Sequence, residues 1–195
     1  MVRLDYFLAT RPGTRQNASG DIALVKEFKN KVFIGIVDAE GHGEEAEKTA
    51  SICFDFMERH YRQDLVQVMD RLHQRLKELP RKAVAGFALL ELETGELTYV
   101  GVGNISARIF GATNLRIIPR PGLIGYAMSS LRQERIKLHA GDVLVLHTDG
   151  VEEHFTLEDY PGLLNEDAER IATRIIKEFG RPDDDALCVA LRYRG

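Results

Sequence analysis

The fold of this chain is decided at residues 32–57, where the sequence reads VFIGIVDAEGHGEEAEKTASICFDFM. The first six residues are mostly β-branched or aromatic, which is typical of a strand buried on both faces. Asp38 follows directly, and Gly41 and Gly43 allow the backbone to turn sharply. Apolar residues then recur at helical spacing, at Ala46, Ala50, Cys53 and Met57. The stretch therefore predicts a buried strand that ends at Asp38, a tight turn, and an amphipathic helix.

The composition is that of a folded protein with no strong attraction to polyanions or lipid. The chain has 195 residues, 44% of them hydrophobic, and a formal net charge of -4. Its mild acidity is unlike a nucleic-acid-binding protein, and no apolar run approaches the roughly 20 residues that cross a bilayer. Cys53 and Cys188 lack metal-ligand spacing, which predicts two buried thiols. We expect one domain, residues 1–195, in the cytoplasm, with neither nucleic acid nor membrane as a partner.

The order of predicted elements indicates the fold class. Alternating or continuous apolar residues predict strands, and apolar residues three or four apart predict helices. In chain order we expect strands at residues 4–8, 22–28 and 32–37, helices from residue 44 and at 65–79, an antiparallel meander at 83–118, a strand at 143–146, a helix at 168–179 and a strand at 186–193. Hairpin-linked strands with two early helices and one late helix predict an α+β domain with antiparallel sheets and outer helices.

Acidic residues mark the ends of several predicted strands. Asp149 follows the apolar segment VLVLHT and precedes Gly150, as Asp38 follows its own strand, while Asp21 and the triplet at 183–185 precede strands. Taken singly, each is more simply a turn or capping residue. Taken together, they predict a carboxylate cluster at one sheet end, whose repulsion needs protons or cations to offset it. Because the donors are oxygens only, Mg²⁺ or Mn²⁺ is favoured over zinc.

Short motifs with a characteristic order and spacing extend over nearly the whole chain. They are SGD at 19–21, VDAEGHG at 37–43, GVGN at 101–104, GLIGY at 122–126, TDG at 148–150 and DDDALCVAL at 183–191. The series resembles the metal-dependent PPM-type serine/threonine protein phosphatases, and most closely their SpoIIE-like branch. The short length without sensor modules is most similar to the RsbX type of bacterial stressosomes.

The resemblance implies a fold and a reaction. The fold would be a four-layer α-β-β-α sandwich of two antiparallel sheets with flanking helices. The reaction would be hydrolysis of phosphoserine or phosphothreonine by water that two divalent cations, Mn²⁺ or Mg²⁺, activate. The catalytic residues would be Asp38, Asp149 and Asp183.

The resemblance also implies a role for each metal ligand. Asp38 would bridge both cations, and Asp149 and Asp183 would hold one of them. The carbonyl of Ala39 would hold the other cation, and Asp21 would bind through water.

The chain departs from the family pattern near these ligands. Ala39 stands where the family has glycine, and Ala186 where it has serine or threonine. Three consecutive aspartates make the tail register ambiguous, so Asp184 is a rival metal ligand to Asp183, whereas Asp185 is expected to matter far less. The departures keep open a pseudophosphatase that binds a phosphoprotein without hydrolysing it.

Arg15 is the candidate for binding the substrate phosphate. It lies shortly before the SGD motif, where the family often has an arginine, and a guanidinium can grip phosphate bidentately. A solvated loop arginine is the alternative, and Arg11 is less favoured. In the glycine turn, His42 is a candidate acid for the leaving group and Glu40 for contact with bound water, although exposed turn residues are the simpler interpretation.

Specificity is expected to come from loops beside the site. The longest irregular segments are residues 119–130 and 151–165, the second of which begins shortly after Asp149. The predicted partner is a folded phosphorylated protein, and the resemblance implies a STAS-domain component of a stressosome. A small-molecule phosphoesterase is a further alternative, although neither a lid nor an adenine-recognition element is recognisable in the sequence.

Overall fold

The computed structural model describes residues 4–13, 18–112, 114–155, 160 and 162–195. The strands are β1 (Leu4–Arg11), β2 (Asp21–Phe28), β3 (Lys31–Ala39), β4 (Ala83–Glu91), β5 (Glu96–Val102), β6 (Ser106–Phe110), β7 (Leu115–Ile117), β8 (Gly122–Leu123), β9 (Ala127–Met128), β10 (Glu134–Lys137), β11 (Val143–His147) and β12 (Ala186–Tyr193). The helices are α1 (Glu44–His60), α2 (Leu65–Lys77) and α3 (Ala168–Phe179), and a 3₁₀ turn covers Leu163–Asn165.

Two five-stranded sheets form the centre of the protein. The first sheet has the strand order β1-β12-β11-β6-β7, and the second has the order β10-β5-β4-β3-β2. The neighbours in both sheets pair antiparallel, as do β8 and β9, which form a small separate hairpin. The predicted antiparallel pairing is therefore confirmed.

The apolar core lies in three layers between the sheets and helices. The inner faces of the two sheets meet through side chains that include Ile34, Ile36, Leu90, Tyr99, Leu144, Leu146, Val189 and Leu191. Helices α1 and α2 cover the outer face of the second sheet, and α3 covers the outer face of the first. Each sheet is thus buried on both faces over most of its strands, and the expected α-β-β-α sandwich is confirmed.

The meander predicted for residues 83–118 is wrong in one respect. The chain leaves the second sheet after β5, and β6 and β7 belong to the first sheet. Gly103 occupies the crossing with a φ of 94°, and a Cβ there would lie 2.1 Å from Cγ1 of Val84. A period of two identifies strands but does not tell which sheet each strand joins.

The segments expected to be irregular contain short elements. Residues 119–130 include the β8–β9 hairpin, whose two-residue strands are too short for an alternating pattern. The Gly125 N–H between them donates to Nδ1 of His73 on α2, which ties the hairpin to that helix. In the segment 151–165, residues 156–159 and 161 lie outside the described residues.

Two smaller expectations concern the cysteines and the membrane. Cys53 and Cys188 are both buried free thiols, as predicted. Within the described ranges, no helix has the length and apolar character needed to cross a membrane.

The contact between the two sheets should dominate stability. Leu144 is fully buried in the inter-sheet core, whereas Leu115 on the edge strand β7 is 39% exposed. We expect Leu144→Ala to lower the free energy of unfolding by about 2–5 kcal/mol, because it leaves a cavity between the sheets. The same substitution at Leu115 should cost about 1 kcal/mol or less. Urea unfolding of both variants checks this, and equal losses would contradict the described core.

Candidate active site

Asp38 is the second-last residue of β3 and therefore lies at one end of the strands of the second sheet. β3 is buried along most of its length, and it pairs with β2 on one side and β4 on the other. Gly41 and Gly43 then adopt positive φ angles of 87° and 77°, and α1 begins at the next residue. Ala39 does not adopt a positive φ, because Lys29 is the only non-glycine residue of the described chain that does. Alanine in place of the family's glycine therefore brings no backbone strain.

The register of β2 and β3 places a second carboxylate beside the first. Asp21 is the antiparallel partner of Asp38, and the N–H of Ala39 donates to the carbonyl oxygen of Gly20 at 3.0 Å. A Cβ on Gly20 would lie 2.7 Å from the Ala39 carbonyl oxygen, so this close approach requires glycine. The SGD and VDAEGHG motifs are therefore neighbours in the sheet.

Thr148 connects this pair to the first sheet. The N–H of Leu187 donates to the Thr148 hydroxyl oxygen at 3.1 Å, and that hydroxyl donates in turn to Oδ2 of Asp21 at 2.6 Å. Thr148 is fully buried, and its hydrogen bond from Leu187 is buried, whereas the bond to the half-buried Asp21 is only partly buried. The threonine of the TDG motif thus holds an aspartate from the opposite sheet, a role that the sequence did not indicate.

Asp149 lies next to Asp38 across the gap between the sheets. Its carboxyl group hydrogen-bonds that of Asp38, and its Oδ2 accepts a hydrogen bond from Nδ2 of Asn104 at 2.9 Å. The next residue, Gly150, packs so tightly that a Cβ would lie 1.7 Å from the carbonyl oxygen of Asp185. The glycines and the asparagine of the motifs therefore fix where this carboxyl group lies.

Asp185 is the most buried member of the aspartate triplet. It is 7% exposed, and its carboxylate accepts hydrogen bonds from the N–H groups of Gly13 at 2.9 Å and Gly20 at 3.1 Å. The expectation that Asp185 matters far less than Asp183 does not fit this environment, because a buried carboxylate with two backbone donors is costly to replace. The sequence contained no signal for this anchor, since burial within an acidic triplet leaves no periodic pattern.

Burial and mutual repulsion change the protonation of the cluster. Burial, followed by the charge of Asp38, raises the pKa of Asp21 to about 9. Burial, followed by the charges of Asp149 and Asp184, raises the pKa of Asp38 to about 7. The pKa of Asp184 is also raised, by burial and by Asp149. The predicted convergence of Asp21, Asp38, Asp149 and the tail is thus present, and Asp184 is close enough to act on Asp38.

An open cavity of about 650 Å³ gives access to this cluster. Its lining residues are Asp38, Glu40, Gly41, His42, Asp149, Arg181, Pro182, Asp183 and Asp184. The predicted phosphate-binding residue Arg15 lies outside the described residues. Arg11 has a structural contact instead, because its guanidinium donates a hydrogen bond to the carbonyl oxygen of Arg181.

The donor set fits a hard divalent cation. The clustered donors are carboxylate oxygens, which Mg²⁺ and Mn²⁺ prefer, and a cation offsets the repulsion that raises the pKa values of Asp21 and Asp38. Among the described residues, no three acidic, histidine or cysteine side chains are already arranged so that they could hold a metal ion. The carboxylates would therefore have to turn from their present hydrogen bonds toward a bound ion.

The raised pKa values predict how pH affects the metal-free protein. Between the unperturbed pKa of 3.8 and the folded values of about 7 and about 9, the folded state holds more protons than the unfolded chain. Stability should therefore fall as pH rises through this window, by up to ~1.4 kcal/mol per pH unit for each extra proton. Asp38→Asn should flatten the dependence, because it removes one titrating group and relieves Asp21.

Urea unfolding in chelator at several pH values measures this effect. Asp55→Asn, an exposed substitution on α1, is the matched control and should keep the wild-type slope. Identical slopes for the wild type and Asp38→Asn would show that the two carboxylates do not interact as described.

Solved structures share the fold of this protein over almost the whole chain. One of them is 28% identical to this chain, with a TM-score of 0.89, and the match covers 97% of this chain and 99% of that one. It is described as "The bacterial stressosome: a modular system that has been adapted to control secondary messenger signaling". RsbX in complex with magnesium is 17% identical, with a TM-score of 0.85 and coverage of 99% and 96%. A structure of the PP2C phosphatase domain and a fragment of the regulatory domain of SpoIIE from Bacillus subtilis is 18% identical, with a TM-score of 0.79, and the match covers 98% of this chain and 62% of that one.

Sequence comparison gives the family. No curated protein matches the chain. The family model for stage II sporulation protein E, SpoIIE, matches residues 29–194, which include the turn after β3, the TDG motif and the aspartate triplet. The RsbX and SpoIIE structures, both below 25% identity, bear on the fold and agree with this match. The chain belongs to the family of stage II sporulation protein E, SpoIIE.

Proposed function

We propose that this protein is a divalent-cation-dependent phosphatase that removes phosphate from phosphoserine or phosphothreonine in a regulatory protein. The observation that carries the proposal is the contact between the carboxyl groups of Asp38 and Asp149, flanked by Asp21 and Asp184 and open to the cavity of about 650 Å³. Membership of the SpoIIE family supports the reaction class. The residues from 1 to 195 would act as one phosphatase domain.

Each part of the cluster has its own task in this proposal. Asp38 lies between the other carboxylates and would bridge two cations, with Asp149 and a tail aspartate on one and the Ala39 carbonyl on the other. Asp21 would act through water, since Thr148 already occupies its Oδ2. When bound, Mg²⁺ or Mn²⁺ supplies positive charge for the phosphate oxygens and lowers the pKa of the attacking water.

For the tail ligand we favour Asp184 over Asp183. The charge of Asp184 acts on Asp38, and that of Asp149 acts on Asp184. The Asp184 backbone is held by a hydrogen bond from its N–H to the carbonyl oxygen of Arg181, and one of its carboxylate oxygens accepts from the N–H of Asp185. Asp183 lines the same cavity and stays a candidate for the experiment below.

The departures from the family pattern do not favour a pseudophosphatase. Ala39 ends β3 without a positive φ, and Ala186 is buried at the start of β12, opposite Arg11 in β1. Both alanines thus occupy ordinary strand positions beside an acidic cluster that keeps its carboxylates. Hydrolysis accounts for these carboxylates, whereas binding alone does not require them.

The proposed substrate is a phosphorylated protein, and we favour a STAS-domain stressosome component. The cavity has an exposed rim formed by Glu40, Gly41 and His42, which suits a phosphorylated side chain on a protein surface better than an enclosed small molecule. Resemblance to RsbX and to a stressosome structure supports the signalling context. The segments 119–130 and 151–165 remain the proposed docking elements, and residues 156–159 and 161 of the second lie outside the described ranges.

The metal requirement has a direct test. Hydrolysis of an aryl phosphate should disappear in chelator and return with Mn²⁺ or Mg²⁺, because the carboxylates need a cation to face a phosphate dianion. Asp38→Asn should reduce kcat by at least about 100-fold, since it weakens both proposed metal sites. Asp55→Asn should leave the rate unchanged. Full activity in a sample shown by elemental analysis to be free of metal would refute the proposal.

A pair of substitutions decides the tail register. Asp184→Asn should weaken Mn²⁺ binding and reduce kcat by about 10- to 100-fold, whereas Asp183→Asn should have a smaller effect on both. Calorimetric Mn²⁺ titration and steady-state kinetics measure the two quantities. The opposite ranking would assign the ligand to Asp183.

A further inference from the structure

Arg181 has a tightly held backbone at the corner between α3 and β12. Its N–H donates to the carbonyl oxygen of Gly150 at 2.7 Å, which links it to the TDG turn. Its own carbonyl oxygen accepts hydrogen bonds from the Arg11 guanidinium and from the N–H of Asp184. The preceding residue, Gly180, packs against that guanidinium, where a Cβ would lie 2.9 Å from Nη2. The corner is therefore fixed relative to both Asp149 and Asp184.

The Arg181 side chain brings positive charge to an acidic cavity. It is exposed, and among the described lining residues it is the only arginine or lysine beside Asp38, Asp149, Asp183 and Asp184. Its charge lowers the pKa of Asp184, but no ion pair between the two side chains occurs in the described ranges. The three hydrogen bonds that hold this residue are all made by its main chain, so they do not explain why its side chain is an arginine.

A phosphate dianion entering this cavity meets several carboxylates before it reaches the proposed cations. A guanidinium at the rim offsets that repulsion and offers a planar pair of N–H donors to two phosphate oxygens. Lysine offers only a point charge, and glutamine offers no charge. The fixed backbone reduces the number of positions that the side chain samples, which lowers the entropy lost on binding.

Resting on the proposed phosphatase function, we propose that Arg181 binds the phosphoryl oxygens of the substrate at the rim of the acidic cavity. It is a substrate-binding residue of the described chain, contributed by the segment between α3 and β12, and is distinct in sequence from Arg15. The leaving product is inorganic phosphate, so Arg181 should bind that anion as well.

Kinetics of Arg181→Gln, Arg181→Lys and a matched control test the assignment. At saturating Mn²⁺, Arg181→Gln should raise KM for an aryl phosphate and Ki for inorganic phosphate by about 10- to 100-fold, because charge-assisted hydrogen bonds are lost. Its kcat should change less than KM, and Arg181→Lys should recover part of the loss. Arg59→Gln makes the same charge change at the far end of α1, roughly 20 Å along the helix from its start, and should behave as wild type.

Three further measurements separate this role from an effect on the metals or the fold. The Mn²⁺ concentration for half-maximal activity and the urea midpoint should be unchanged in Arg181→Gln, while calorimetric binding of inorganic phosphate to the Mn²⁺-loaded protein weakens. Unchanged KM and phosphate affinity in an active protein would overturn this inference alone, as would a shift confined to the Mn²⁺ requirement. An inactive wild type at every metal concentration would overturn the proposed function together with the inference.

Discussion

The repulsion among partly buried carboxyl groups is the constraint on which the rest of this structure depends. Asp21 and Asp38 face each other across one strand pair, and Asp149 reaches Asp38 from the other sheet. Two unit charges 4 Å apart repel by about 4 kcal/mol at an effective dielectric constant of 20. The backbone hydrogen bonds between strands and the apolar layer between the sheets oppose this repulsion, because they hold the strand ends in place even though these ends bear carboxyl groups. Such local destabilisation at a site is common where chemistry requires it.

The cluster is a property of the sandwich and not of any single loop. Thr148 accepts a hydrogen bond from β12 and donates one to Asp21 in the second sheet. Asp185 directly precedes β12 of the first sheet, and its carboxylate accepts a hydrogen bond from the N–H of Gly20, which precedes β2. The Thr148–Asp21 and Gly20–Asp185 hydrogen bonds join the two sheets, so a sliding of one sheet over the other would change the distances among the carboxylates. The site geometry and the inter-sheet packing are therefore parts of one arrangement.

Much of the fold could be predicted because local patterns specify it. The apolar run before Asp38, the glycines after it and the helical spacing from residue 44 correctly predict a strand, a turn and α1. The strand-end aspartates correctly predicted which acidic residues would meet. The pairing of the strands was not predictable, since the alternation of apolar and polar residues is the same whether β6 joins one sheet or the other. The anchoring role of Asp185 and the rim position of Arg181 depend on contacts between residues distant in sequence, which one sequence does not reveal.

The position of β12 within its sheet has a consequence for how the chain becomes functional. This strand is the last in chain order, yet it lies between β1 and β11 and pairs with both along their whole length. During synthesis, β1 therefore has no partner in its sheet until Ala186–Tyr193 has emerged from the ribosome. The contacts that close the sheet join opposite ends of the chain, and such long loop closures slow folding. The Asp21–Asp38 pair can form earlier within the second sheet, but the contacts of Asp185 with Gly20 and of Leu187 with Thr148 require this last segment, so the acidic cluster is completed late in folding.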